Sequence, residues 1–134
     1  SHTMNDRITT LFEAIDRQDS DGMRAAYAPD ARLVTMTPNT FKVDTGVDEI
    51  GARLTDWYVS WEQEPAFSFL SRIDHDGHVF VEFERTSSYE GDRWVVRQSH
   101  VLDVGPDGVR EHRIYCCGPR QGSPDLAAIY ASMR

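Results

Sequence analysis

Two residues invite chemistry before any others: Gln98 and His100, two positions apart in the run Arg93–Val104. Trp94, Val96, Gln98, His100, Leu102 and Val104 alternate with Arg93, Val95, Arg97, Ser99, Val101 and Asp103, the period of a strand with two different faces. The even face is apolar except for Gln98 and His100. An unpaired buried polar group costs roughly 1–3 kcal/mol, so both need partners or water. They are either a buried hydrogen-bonding pair or the floor of a pocket. In a pocket, His100 can serve as general acid or base near neutral pH. In a core it would bond to Gln98 or to a backbone carbonyl.

Other candidates follow the same two-way reading. His112 lies in a run where Arg110, His112, Ile114 and Cys116 alternate with Val109, Glu111, Arg113, Tyr115 and Cys117, and neither face is cleanly apolar. Trp57, Tyr58 and Trp61 keep helical spacing and make one aromatic face. Such a face is core, or it is the wall for a flat, apolar ligand, with the Tyr58 hydroxyl as a donor. Arg85 stands among inward apolar positions, with Glu82, Glu84 or Glu111 as expected partners. Asp44, in a loop before the third helix, is either solvated or at a pocket mouth. His75 and His78 flank a turn. Cys116 and Cys117 point to opposite faces if they lie in a strand, which disfavours a mutual disulfide and reads as two structural thiols in a reducing compartment. Zinc-ligand spacing, a Gly-rich phosphate loop and a nucleophile elbow are all missing from the sequence, so neither metal nor cofactor is expected.

The elements that must position these residues are legible from periodicity. Ile8, Leu11, Phe12 and Ile15 predict an amphipathic helix from Asn5 or Asp6 to Gln18. Ser20 is the expected N-cap of a short helix through Tyr27, with Met23, Ala26 and Tyr27 inward and Pro29 closing it. A strand over Ala31–Thr37 and a loop over Asn39–Gly46 follow. A third helix starts at Gly46-Val47 and carries Val47, Ile50, Leu54, Trp57, Tyr58 and Trp61. Strand patterns then run through Phe67–Ile73, Val79–Tyr89, Arg93–Val104 and the segment after Gly105-Pro106-Asp107-Gly108. Ser123-Pro124-Asp125 opens a C-terminal helix with Leu126, Ile129 and Tyr130. Segregated helices and hairpin-linked strands predict an α+β fold, a curved antiparallel sheet around a cone-shaped cavity.

The 134 residues suit one domain. Residues 1–4 read as a remnant of an expression vector, 5–122 as the domain and 123–134 as a C-terminal helix or tail. At 40% hydrophobic and 10% aromatic the chain can bury a core. A net charge of −8 opposes nucleic-acid binding, and no apolar run approaches the roughly 20 residues of a membrane span. A cytoplasmic protein is expected.

Three stretches carry a family resemblance: YAPDARL at Tyr27–Leu33, TGVDEIGARLTDWY at Thr45–Tyr58 and DGVREHRIY at Asp107–Tyr115. Across about Ile8 to Pro119 the chain resembles the nuclear transport factor 2-like (cystatin-like) superfamily and, within it, the SnoaL-like polyketide cyclase group. The resemblance implies a cone-shaped α+β barrel, its curved, mostly antiparallel sheet holding three N-terminal-half helices on the concave face. It implies either a cofactor-free cyclase, isomerase or dehydratase acting on an apolar or aromatic, polyketide-like molecule, or a non-catalytic binding or dimerisation module. A homodimer through the outward sheet face is also implied. Ketosteroid isomerase-like members use a Tyr in the first helix, an Asp ending the first strand and an acidic donor in the penultimate strand; those places hold Leu11, Thr35 or Thr37, and His100. SnoaL-like cyclases place a His and, two residues on, an Asp toward the cavity; here they are His112 and Ile114. The expected site is therefore His100 as acid–base residue, with Trp57, Tyr58, Trp61, Gln98 and His112 binding the ligand.

Overall fold

The computed structural model describes residues 2–60, 62–121 and 131–133, and the side chains of these except 2–6 and 67–70. Helix α1 runs His2–Asp16, α2 Ser20–Ala25 and α3 Val47–Tyr58. The strands are β1 Tyr27–Met36, β2 Phe41–Thr45, β3 Gln63–His75, β4 His78–Tyr89, β5 Asp92–Gly105, β6 Gly108–Cys116 and β7 Arg120–Gln121. They form one sheet in the order β2-β1-β6-β5-β4-β3, with β7 on β5. Among the described residues every pairing is antiparallel except β1 with β6. The architecture is the curved, mostly antiparallel α+β cone.

Helices fill the concave face. Ile8, Leu11, Phe12 and Ile15 of α1 and Ile50, Leu54 and Tyr58 of α3 are buried against Leu33, Val81, Phe83, Leu102 and Ile114 of the sheet. Phe12 meets the Phe83 ring edge-on at a centroid distance of 5.9 Å. Gly46 caps α3 at φ 85°, a conformation that glycine adopts without a Cβ penalty.

Four local expectations need correction. The N-terminal helix begins at His2, so the backbone of residues 2–4 is helical too. The cap of α2 is Asp19, one residue before Ser20, its Oδ1 accepting from Gly22 N at 2.9 Å. Tyr27 is not the end of that helix but the start of β1: Val109 N donates to Ala26 O and Tyr27 pairs with Val109, a tertiary contact that overrides the helical pattern. The stretch taken as a loop contains β2, because Thr37 and Thr40 close a turn around Pro38-Asn39 and set Met36 opposite Phe41. The expected helix from Ser123 lies outside the described residues.

On the outer face, register makes rows across the whole sheet. Ile73, Phe80, Val101, Arg113, Val34 and Val43 are successive cross-strand partners from β3 to β2. The parallel row His75, His78, Asp103, Glu111, Arg32 and Thr45 is polar, with His78 bound to Asp103 and Arg32 to Glu111. No helix among the described residues is long and apolar enough to cross a membrane.

Candidate functional site

Alternation on β5 sends both Gln98 and His100 to the concave face, and the register of β6 sends His112 and Cys116 there beside them. His112 faces Leu102 directly, which sets its ring diagonal to that of His100. The two imidazoles meet, His100 Nδ1 lying 2.8 Å from His112 Nε2. Tyr27, arriving on β1, reaches His112 Nδ1 with its hydroxyl at 2.7 Å. On the other side His100 Nε2 is 2.9 Å from Gln98 Oε1. Tyr58, at the end of α3, donates its hydroxyl to that same oxygen at 2.5 Å. Gln98 Nε2 donates to Cys116 Sγ at 3.5 Å. One polar chain therefore crosses the apolar interior from β1 to α3.

This chain changes the role of His100. Its side is closed by the ring edges of Phe12 and Phe83, with centroids 5.0 and 4.7 Å away. Both ring nitrogens are occupied by protein, and the residue is 1% exposed. Burial, and then the neighbouring His112, hold His100 well below the ordinary imidazole range. Burial, with Arg113, pushes His112 down to about 3. Of the two placements its strand position allows, His100 takes the buried one, as hydrogen-bonding partner of Gln98. Tyr58 likewise spends its proton on Gln98, and burial holds its phenol well above the ordinary range.

Open space lies beyond Gln98, which lines two cavities together with Thr37 and Cys116; the larger, about 490 Å³, is bounded by Phe83, Arg97 and Tyr115. The smaller cavity, of about 260 Å³, is lined by Thr37, Asp56, Trp57, Tyr58, Glu62, Val96, Gln98, Cys116 and Pro119. Of the expected binding residues, Trp57, Tyr58 and Gln98 line it, while His100 and His112 lie behind Gln98. Trp61 is outside the described residues.

Glu62 was not anticipated. It sits on the cavity wall just past α3, and its carboxylate accepts from Arg85 Nε at 2.6 Å. Arg85 is 1% exposed, gives a second bond to Ile15 O at 3.1 Å and holds its guanidinium 5.8 Å over the Tyr58 ring. Burial raises the Glu62 carboxyl to about 7 against the opposing pull of Arg85. A lone Glu between Trp61 and Gln63 gives no periodic signal, and its partner lies 23 residues away. Arg85 therefore pairs with none of Glu82, Glu84 or Glu111. Asp44 lies in β2 and binds Arg53 at 2.9 Å, away from the cavity lining. Cys116 and Cys117 are free thiols. Among the described residues no three His, Cys, Asp or Glu side chains gather as metal ligands would.

The comparisons agree with this architecture. The profile of the SnoaL-like domain matches residues 8–114. The chain belongs to the SnoaL-like domain family. No curated protein matches it. Among solved structures, Bal32a from a soil-derived mobile gene cassette is similar at a TM-score of 0.71 and 15% identity, over 86% of this chain and 89% of that one. A Catenulispora acidiphila protein with a ketosteroid isomerase-like fold, in complex with trimethylamine, gives 0.67 and 15% over 81% and 83%. A Sinorhizobium meliloti protein assigned as a polyketide cyclase gives 0.64 and 16% over 81% and 93%. At these identities the likeness is one of fold.

Proposed function

We propose that this chain binds a small apolar or aromatic molecule in the smaller cavity and performs cofactor-free acid–base chemistry on it, of the cyclase, isomerase or dehydratase type, in the cytoplasm. The observation that carries the reading is Glu62: a carboxyl on the cavity wall, raised toward neutrality, in the same space as Gln98, Tyr58 and Trp57. A group that titrates near 7 can both take and return a proton at working pH. Trp57, Tyr58 and Val96 supply apolar wall, and the volume, just below the roughly 300–1,000 Å³ usual for ligand pockets, favours a compact ligand. His100 and His112 serve this site by holding Gln98.

A second reading, a binding module without catalysis, is favoured by the complete internal satisfaction of both buried histidines. Thermal-shift screening with planar aromatic compounds, followed by turnover assays on each hit, separates the two. Under the enzyme reading Glu62→Gln loses roughly 10²–10⁴-fold in rate with ligand still bound. Binding without turnover in the unmodified protein leaves the module. The proposed assembly is a homodimer through the outer sheet face, supported by its cross-strand row of Ile73, Phe80, Val101, Val34 and Val43, in which Arg113 is the one charged member.

A further inference from the structure

We propose that Tyr27, His112 and His100 are positioning residues, a one-way hydrogen-bond chain that fixes the Gln98 amide with its carbonyl inward and its N–H groups toward the cavity, so that the floor selects a ligand carrying a hydrogen-bond acceptor. This deepens the cavity reading above and rests on it.

The direction follows from counting hydrogens. Tyr27 and Tyr58 stand at the two ends of the series Tyr27, His112, His100, Gln98, Tyr58. Each phenol is buried, carries one hydrogen, and has one hydrogen-bond partner among the described residues. With the Gln98 carbonyl inward, every hydrogen has a place. Tyr27 O–H donates to His112 Nδ1, His112 Nε2–H to His100 Nδ1, and His100 Nε2–H to Gln98 Oε1, which also receives Tyr58 O–H. Turning the amide over reverses every link. Gln98 would then donate to His100 and Tyr58, His100 to His112, and His112 to the Tyr27 oxygen. Both phenol hydrogens would be buried with no acceptor, the kind of defect that folded interiors avoid. An extra proton on either ring fails similarly, because it sets N–H against N–H or against O–H.

The consequence reaches the cavity through Gln98. Its carbonyl is consumed by His100 and Tyr58, while one amide hydrogen goes to Cys116 Sγ. The second hydrogen has no acceptor among the described residues, and both Gln98 and Cys116 line the cavity. The floor is thus a donor. Tyr27 never touches the cavity, yet it is one of the two groups that set this.

The test reads tautomers first. Long-range ¹H–¹⁵N spectra of the full ¹⁵N-labelled chain should show His100 and His112 as neutral Nε2–H tautomers with bare Nδ1, unchanged between pH 7 and pH 5. Nδ1–H tautomers on both rings would overturn the direction of the chain, whatever binds. In Tyr58→Phe the lock rests on Tyr27 alone and the single tautomer should persist; adding Tyr27→Phe should give mixed tautomers. Acetophenone and its apolar counterpart indane are the probes. The ketone should bind more tightly by roughly 3- to 10-fold, the ratio for one neutral hydrogen bond, in the unmodified protein and in Tyr58→Phe. The preference should vanish in the double variant. A preference unmoved by Tyr27→Phe in that background would overturn the positioning role. If the tautomers are as stated but neither probe binds, the cavity reading fails and the ligand preference falls with it.

Discussion

His100 Nδ1 lies 2.8 Å from His112 Nε2, so the two imidazoles share a single hydrogen, and neither can gain a proton without losing a partner: His100 would lose His112, and His112 the Tyr27 hydroxyl as donor. The unfolded chain has no such restriction. As pH falls below 6.5, unfolded histidines take up protons that the native pair refuses, so stability falls with acid; for His112 the fall continues to about 3. The slope approaches roughly 1.4 kcal/mol per pH unit for each histidine. Glu62 works oppositely: its native proton is held to about 7 and its unfolded one to 4.5, so its contribution is present below about 4.5 and lost as pH rises through 7. Two histidines outweigh one carboxyl. Urea unfolding at pH 5 should show a lower midpoint than at pH 7, and an equal or higher one would contradict a neutral pair.

The Glu62–Arg85 pair is buried at both ends, with side chains each 1% exposed. Removing one partner strands the other. Arg85→Met should cost roughly 3–5 kcal/mol in denaturant unfolding. Glu62→Leu combined with Arg85→Met should recover much of that loss, since a well-packed apolar pair often replaces a buried ion pair at little cost. A double variant as unstable as the single one would show that Arg85 matters through Ile15 O and the Tyr58 ring instead.

Tyr58→Phe removes one of two donors to Gln98 Oε1 and leaves His100 bonded to that oxygen. The acceptor is not stranded, so the expected loss is only about 1 kcal/mol. His100→Ala removes the middle link, leaves His112 and Gln98 facing a hole beside Phe12 and Phe83, and should lower the melting temperature far more. Calorimetry on the two variants checks the order.

The outer row gives a prediction about assembly. Phe80 and Val43, 47% and 51% exposed, stand in the same cross-strand row. Sedimentation at micromolar concentration should find a dimer, and Phe80→Glu should shift it to monomer without lowering the melting temperature of the single chain. A monomeric unmodified protein would remove the sheet face as a self-interface.

The strand that carries Gln98 and His100 was legible because a period of two needs no distant information, and so were the stripes of α1 and α3. The question left open in the sequence, pair or pocket floor, resolves as both, split between the two residues: Gln98 lines the cavity and His100 backs it. What escaped was set by long-range geometry. Tyr27 looked like the last turn of a helix until Val109 paired with it, and Glu62 had no local pattern to mark it before Arg85 arrived from β4. The brief alternation of β2, exposed at Phe41 and Val43, sits at a sheet edge where little apolar contrast exists to announce it.

The parallel pairing of β1 with β6 has a consequence for how the chain reaches this state. β1 finds β2 nearby, but its other edge waits for residues 109–115, some 80 positions later. Loop closure of that span is slow compared with hairpin formation, so the meander β3–β6 should zip first and the N-terminal unit dock afterwards. Tyr27 comes from the late-docking unit and His112 from the early one. The buried hydrogen-bond series is therefore completed only in the final step, and protection of the Val109 amide, which donates to Ala26 O, is the natural clock for it.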